Sequence, residues 1–182
     1  MITLLLLISL ISPPQIEVGL LVKLYQQENK ELNKKQFTTF VIDPTLKKLD
    51  LYSESASNLL VMIAAHESMK GYYLVQTTGQ AKGFFQMEDA THDYLLTWLR
   101  SKKPELYTKV SAMADNEPSA MKMVTDLDYA VAMARIFFLR FPEALPSGSD
   151  TNAMAAYAKY RWNTKLGKAT PADYKSAYLS WK

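Results

Sequence analysis

Seven consecutive residues, Leu59-Leu60-Val61-Met62-Ile63-Ala64-Ala65, carry no polar side chain. Read as a helix, this run is apolar on every face, and such a helix is stable only when other elements surround it. The rest of the chain must therefore supply a shell. Its 182 residues, 48% hydrophobic and 21% charged, have the length and composition of one packed globular domain. That balance excludes disorder across most of the chain, and six Gly with eight Pro exclude collagen-like or low-complexity structure.

The shell reads as further helix almost everywhere. Residues 15–33 place Val18, Leu21, Val22, Leu24 and Tyr25 near helical spacing. Asp43-Pro44 has the form of an N-cap followed by proline, opening a short helix through Leu49 and Leu51. Ser55 or Ser57 is placed to cap the apolar helix, which is expected to end near Lys70-Gly71. From Tyr72 to Met87 the helical period is lost, and an irregular loop or small hairpin is expected. Asp89 is expected to cap a helix carrying Tyr94, Leu95, Trp98 and Leu99, and another should run from Leu127 to Phe141, ended by Pro142. Asp150 precedes Met154, Ala155, Ala156 and Tyr157; Thr170-Pro171 opens a last helix with Tyr174, Ala177 and Tyr178. The fold class expected is α+β and mainly α-helical, with a small irregular or β insertion after the buried helix. A hydrophobic N-terminal segment and helix (1–36) would precede the main domain (37–182).

Charge and cysteine content narrow the chemistry. No cysteine is present, which removes disulfides, thiol catalysis and thiolate-held zinc. The net charge of +3 is too weak to imply nucleic acid. Residues 151–182, however, hold six lysines and arginines against Asp173 alone. This basic end suits an anionic polymer such as a cell wall, or simply a solvated surface. The run from Ile2 to Ile11 is apolar except for Thr3 and Ser9, but falls short of the roughly 20 residues that span a bilayer. It lacks the basic flank of a signal peptide, so an export or anchoring segment with membrane contact through residues 1–12 and a packed segment are both open readings.

Several site types fail on spacing. His66-Glu67-Ser68-Met69-Lys70 has lysine where a zincin needs its second histidine, and no Gly-x-Ser-x-Gly elbow occurs. Gly79-Gln80-Ala81-Lys82-Gly83 lacks the lysine-hydroxyl ending of a phosphate loop. His92 is expected to be a partly exposed helix residue. Glu67 stands out because it closes the apolar helix. Desolvation and the negative end of the helix dipole both favour its neutral form, the state needed in a general acid for glycosidic cleavage. On position alone, a glutamate reaching solvent from the last turn is the simpler reading.

The residues that follow point further. Glu67-Ser68, a polar loop, Gly83-Phe84-Phe85-Gln86-Met87 and then Thr91 together resemble the active-site run of lytic transglycosylases and goose-type lysozymes. Gln86-Met87-Glu88-Asp89-Ala90-Thr91-His92-Asp93 is similar to the string found in phage-encoded members, with Asp89 where they carry proline. Ala155-Ala156-Tyr157 resembles the start of that family's Ala-Tyr-Asn-Ala-Gly motif, but Ala158-Lys159-Tyr160 follows, so the asparagine's role would pass elsewhere, with Asn163 a candidate. The likeness spans residues 37–182 and implies a lysozyme-like domain that cleaves peptidoglycan glycan strands, with Glu67 as catalytic acid/base. It implies further that Gln86 and Tyr157 line the cleft and position the sugar or the acid. Ser68 and Gly83 would fix the backbone, Met87 would pack beneath the site, and Phe85 and Glu88 would adjoin substrate. Of Tyr72, Tyr73, Phe84, Phe85, Tyr157, Tyr160 and Trp162, two or three are expected to face sugar.

The resemblance implies no metal or cofactor, and peptidoglycan as the partner of a protein taken as a monomer. It places the protein at the bacterial periplasm or cell wall, reached as a phage endolysin or virion component. Three rivals follow: a two-carboxylate hydrolase using Glu88, a non-catalytic wall-binding or structural virion protein of the same fold, and a membrane-associated interaction protein built on the apolar N-terminus.

Overall fold

In the computed structural model, residues 32–165 and 167–182 are described. The expected N-terminal apolar segment lies outside them, as does nearly all of the helix expected over 15–33. The first described helical run opens at α1 (Lys34–Phe37), where the Asn33 side chain accepts from Gln36 N at 3.0 Å. It passes through a π-helical segment, Thr38–Ile42, into α2 (Asp43–Lys48) without leaving helical backbone. Asp43 is therefore already inside a helix and does not cap one. Its carboxylate instead accepts the Ser57 hydroxyl at 2.6 Å.

The apolar run forms α3 (Glu54–Glu67), and every residue from Leu59 to Ala65 is buried. Its cap is neither Ser55 nor Ser57 but Ser53, in extended backbone, accepting from Ala56 N at 3.0 Å. The helix stops at Glu67, three residues before the expected end. Ser68, Met69, Lys70 and Gly71 then form a tight turn in which Met69, Lys70 and Gly71 all have positive φ. Ser68 Oγ secures the turn, donating to Ala64 O and accepting from Gly71 N. Gly71 is required there, because a Cβ would overlap the Phe84 ring.

Residues 72–88 cross the surface as an irregular loop. Its only β pairings are the isolated bridges Val75↔Lys82 and Lys82↔Met87. Gly83, with φ of 72°, presses so close to the Met123 carbonyl that no side chain fits. α4 (Asp89–Lys102) begins one residue after extended Glu88. Asp89 does not cap it: it is the first helical residue, and its carboxylate holds Lys82 Nζ at 2.6 and 2.8 Å. His92, expected to be partly exposed, is fully buried in α4, with its ring nitrogens 2.7 Å from Tyr129 Oη and 2.8 Å from Asp93 Oδ1. Tyr94, on the same helix, is exposed.

Two further helices follow, α5 (Pro104–Met113) and the short α6 (Lys122–Thr125). α7 (Leu127–Phe138), capped by Asp126, is buried along most of its length and stops three residues short of Phe141. Asp150 caps α8 (Thr151–Tyr157), which runs on as a π-helical segment, Ala158–Asn163. A capping box of Thr170 and Asp173 opens α9 (Pro171–Ser180) at the expected place.

The architecture is mainly helical. α3 lies at its centre, packed against α7, α8 and, most extensively, α9. Trp181 is buried against Phe37, Phe37 stacks on Phe84 at 4.9 Å, and Lys34 N donates to Lys182 O at 2.9 Å. The end of the chain is thereby fastened to the first described helix. Among the described residues no helix is long and apolar enough to cross a membrane.

Candidate active site

A cleft of about 970 Å³ opens where α3 ends. Glu67 faces it from the last position of that helix. Gln86, Met87, Glu88 and Thr91 form one side, at the entry to α4. Phe137, Arg140 and Phe141 come from the C-terminal end of α7, and residues 160–164 from the π-helical segment after α8. A π segment widens the helical turn, which lets Tyr160, Arg161, Trp162 and Asn163 all reach one wall.

Glu67 is largely enclosed, and burial pushes its carboxyl up to about 7, with a Tyr174 hydrogen bond pulling the other way. That bond is the Tyr174 hydroxyl donating to Glu67 Oε1. Tyr174 is completely buried on α9, and its ring packs on His66 with centroids 4.2 Å apart. Burial and the neighbouring Glu67 charge raise the Tyr174 hydroxyl well above its ordinary value, so it remains a donor. Burial lowers His66 and so favours the neutral imidazole, opposed only by the Asp173 charge. The buried phenol from α9 thus touches both the acid and the histidine that precedes it on α3.

The residues singled out from sequence divide into two groups. Gln86, Met87 and Glu88 line the cleft with Glu67. Gln86 has a φ of 48°, and its side chain donates to Gly83 O at 2.9 Å and Tyr73 O at 3.2 Å, fixing the loop beside the acid. Met87 is buried in the floor, and Glu88 is exposed at the edge. Ser68 and Phe85 lie beneath the surface: Ser68 holds the turn after α3, and Phe85 packs edge-on to Trp162.

Tyr157 is a correction. It does not line the cleft; its ring packs beside Phe138, and it belongs to an adjoining hollow with Glu143 and Pro146. Its hydroxyl is buried near Glu143, and burial, reinforced by the Glu143 charge, pushes it up to about 12. Tyr174, read from sequence only as a face of the last helix, occupies the place beside the acid. Asn163 does reach the cleft, where its side chain accepts from Lys159 Nζ at 2.8 Å. Of the seven candidate aromatics, Tyr73, Tyr160 and Trp162 line the cleft.

Spacing alone did not disclose the wall formed by α7 and the π segment. Trp162 packs on Phe137 at 4.7 Å and Phe138 at 5.7 Å, and two guanidinium groups lie over neighbouring rings. Among the described residues there is no group of three His, Asp or Glu side chains arranged to hold a metal ion. No protein-family model, characterised protein or solved structure matches this chain.

Proposed function

We propose that this chain is a lysozyme-like peptidoglycan lytic transglycosylase with Glu67 as its single acid/base. The observation that carries the reading is the state of Glu67: an enclosed carboxyl, raised to about 7, facing a large open cleft. A group with that pKa is protonated often enough at neutral pH to donate, and its conjugate base is strong enough to accept. The cleft volume lies near the top of the usual range for ligand sites, roughly 300–1,000 Å³, which suits an extended chain of sugars. Tyr73, Tyr160 and Trp162 line the space those sugars would occupy.

In the proposed reaction, the Glu67 proton passes to the glycosidic oxygen as the bond from that oxygen to C1 breaks. The oxocarbenium-like sugar left behind is attacked at C1 by its own 6-hydroxyl. That hydroxyl's proton returns to Glu67, and the product is a 1,6-anhydro sugar. Tyr174 holds Oε1, and the Gln86 bonds keep the loop against the cleft. The place of action would be the bacterial cell wall, reached as a phage endolysin or virion component.

A hydrolase remains the second reading because Glu88 lines the same cleft and is exposed to water. Mass spectrometry of purified peptidoglycan digested by the protein separates the two. Anhydro-ended muropeptides support the transglycosylase, reducing-end products support the hydrolase, and no digestion refutes both.

A further inference from the structure

Two arginines line the cleft, and their circumstances differ. Arg161 is satisfied: its Nη2 lies 2.6 Å from Glu143 Oε1, and its guanidinium sits 4.5 Å from the Phe141 ring centroid. Arg140 has no carboxylate partner among the described residues. Its guanidinium is held instead by ring faces, 4.2 Å from the Phe137 centroid and 5.3 Å from those of Tyr94 and Phe141. Its Nε donates to Phe137 O at 3.1 Å. That leaves both terminal nitrogens available.

The arrangement is costly unless something anionic arrives. A guanidinium does not deprotonate, and in a cleft walled by Phe137, Phe141 and Trp162 it gives up part of its hydration. Ring faces offset some of that loss and fix its orientation, so little conformational freedom remains to be lost when an anion binds. The planar fork of a guanidinium matches a carboxylate in particular. Neither acid in the cleft supplies one among the described residues: Glu67 is engaged by Tyr174, and Glu88 pairs with neither arginine.

We infer that Arg140 binds a carboxylate of the peptide stem carried by the glycan strand, so that the cleft selects peptide-bearing over neutral glycan. The inference rests on the peptidoglycan reading of the cleft. It extends that reading from the bond that is cut to the substituent beside it. The muramic lactyl group, which becomes a free carboxylate once its peptide is removed, is the other source of the same chemistry.

The test uses the full chain carrying Glu67→Gln to block turnover, with Arg140 intact or changed to Gln or Lys. Binding is measured by calorimetry for three ligands: peptide-bearing glycan fragments, the same strands stripped by an amidase, and neutral chitooligosaccharides. Arg140→Gln should weaken the peptide-bearing ligand about tenfold, leave the chitooligosaccharide unchanged and remove the salt dependence of the former. Arg140→Lys should restore part of the loss, because it returns charge without the planar fork. A loss as large on stripped strands as on peptide-bearing ones would move the contact to the lactyl carboxylate and overturn the stem assignment. An equal loss on neutral sugar, or none on any ligand, would overturn carboxylate recognition altogether. If the Glu67→Gln chain binds none of the three, the peptidoglycan reading itself falls, and this inference with it.

Discussion

Helices α3 and α7 are both buried along most of their length, and both deliver a functional group to the same cleft from their C-terminal ends. The groups are opposite in kind. α3 ends on Glu67, whereas the chain leaving α7 presents Arg140. A helix C-terminus carries partial negative charge, which opposes a carboxylate and favours a guanidinium. Burial acts against the charge on Glu67. For Glu67 the two effects add, and the group responds by holding its proton up to about pH 7. Around Arg140 the ring faces of Phe137, Tyr94 and Phe141 stabilise the cation. One helix end yields a titrating group and the other a permanent charge, as catalysis and recognition respectively require.

The strongest way to break this contrast is Glu67→Gln. Wall-degrading activity should fall by roughly 10³-fold or more, because Gln keeps the shape but has no proton to give. Stability should respond in a way that activity cannot mimic. The folded-state pKa of about 7 lies above the ordinary glutamate value of 4.5. Between those values the folded chain binds more protons than the unfolded one, so stability falls as pH rises from about 4.5 through 7 and then levels off. By the cost of shifting a pKa, the loss amounts to about 3 kcal/mol at most. Glu67→Gln should abolish that slope, making the variant the more stable protein at pH 8. Denaturant unfolding at pH 5 and pH 8 checks this, and a wild-type stability independent of pH over that span would contradict the burial of the acid.

Tyr174→Phe should have the next largest effect. It removes a donor to the charged form, so Glu67 should titrate still higher and the alkaline limb of the activity profile should move to higher pH. The rate at the optimum should drop about tenfold, since the carboxyl group is no longer held in place. An unshifted limb would show that the phenol packs beside the acid without acting on it. The parallel change Tyr157→Phe should leave the limb where it is, because that hydroxyl lies outside the cleft.

These two tyrosines show how far the sequence could be read. The buried run of α3 was legible because everything that defines it is local, seven apolar residues followed by His66 and an acid. Its end was expected three residues too late, because the turn is set by Ser68 and by the Phe84 ring packed on Gly71. The mainly helical content and the caps at Asp150 and Thr170 are local in the same sense. Tyr174 lies 107 residues from Glu67, and nothing in the spacing of α9 announces that its hydroxyl meets an acid. Tyr157 was preferred because its neighbours resemble a motif, but the π-helical turn that follows carries Tyr160 to Asn163 to the cleft in its place. Ser53, Ser55 and Ser57 all suit a helix start, and only the backbone conformation of Ser53 distinguishes it. His92 could have been placed correctly, since it shares a face with Leu95 and Leu99 at helical spacing, and all three are fully buried. Arg140 could not, because its aromatic setting brings together residues from α4 and the end of α7.

Glu88→Gln should produce the smallest effect, and its smallness is informative. Glu88 and Glu67 face the same cleft, but Glu67 is partly buried and held by the hydroxyl of the buried Tyr174. Glu88 is exposed, immediately before α4, where a negative charge is favoured by the helix N-terminus. That exposed position suits either an electrostatic bystander or the base of a hydrolase. The two roles separate on substitution. As a bystander its loss should change rate and stability by no more than about threefold, the ordinary scale of a surface substitution, and the products should remain anhydro-ended. As the base that activates water, its loss should abolish turnover as fully as Glu67→Gln does, and the wild-type products should carry reducing ends. Peptidoglycan would stand as the substrate in that case, while the paired roles of one acid at α3 and one cation at α7 would have to admit a second acid between them.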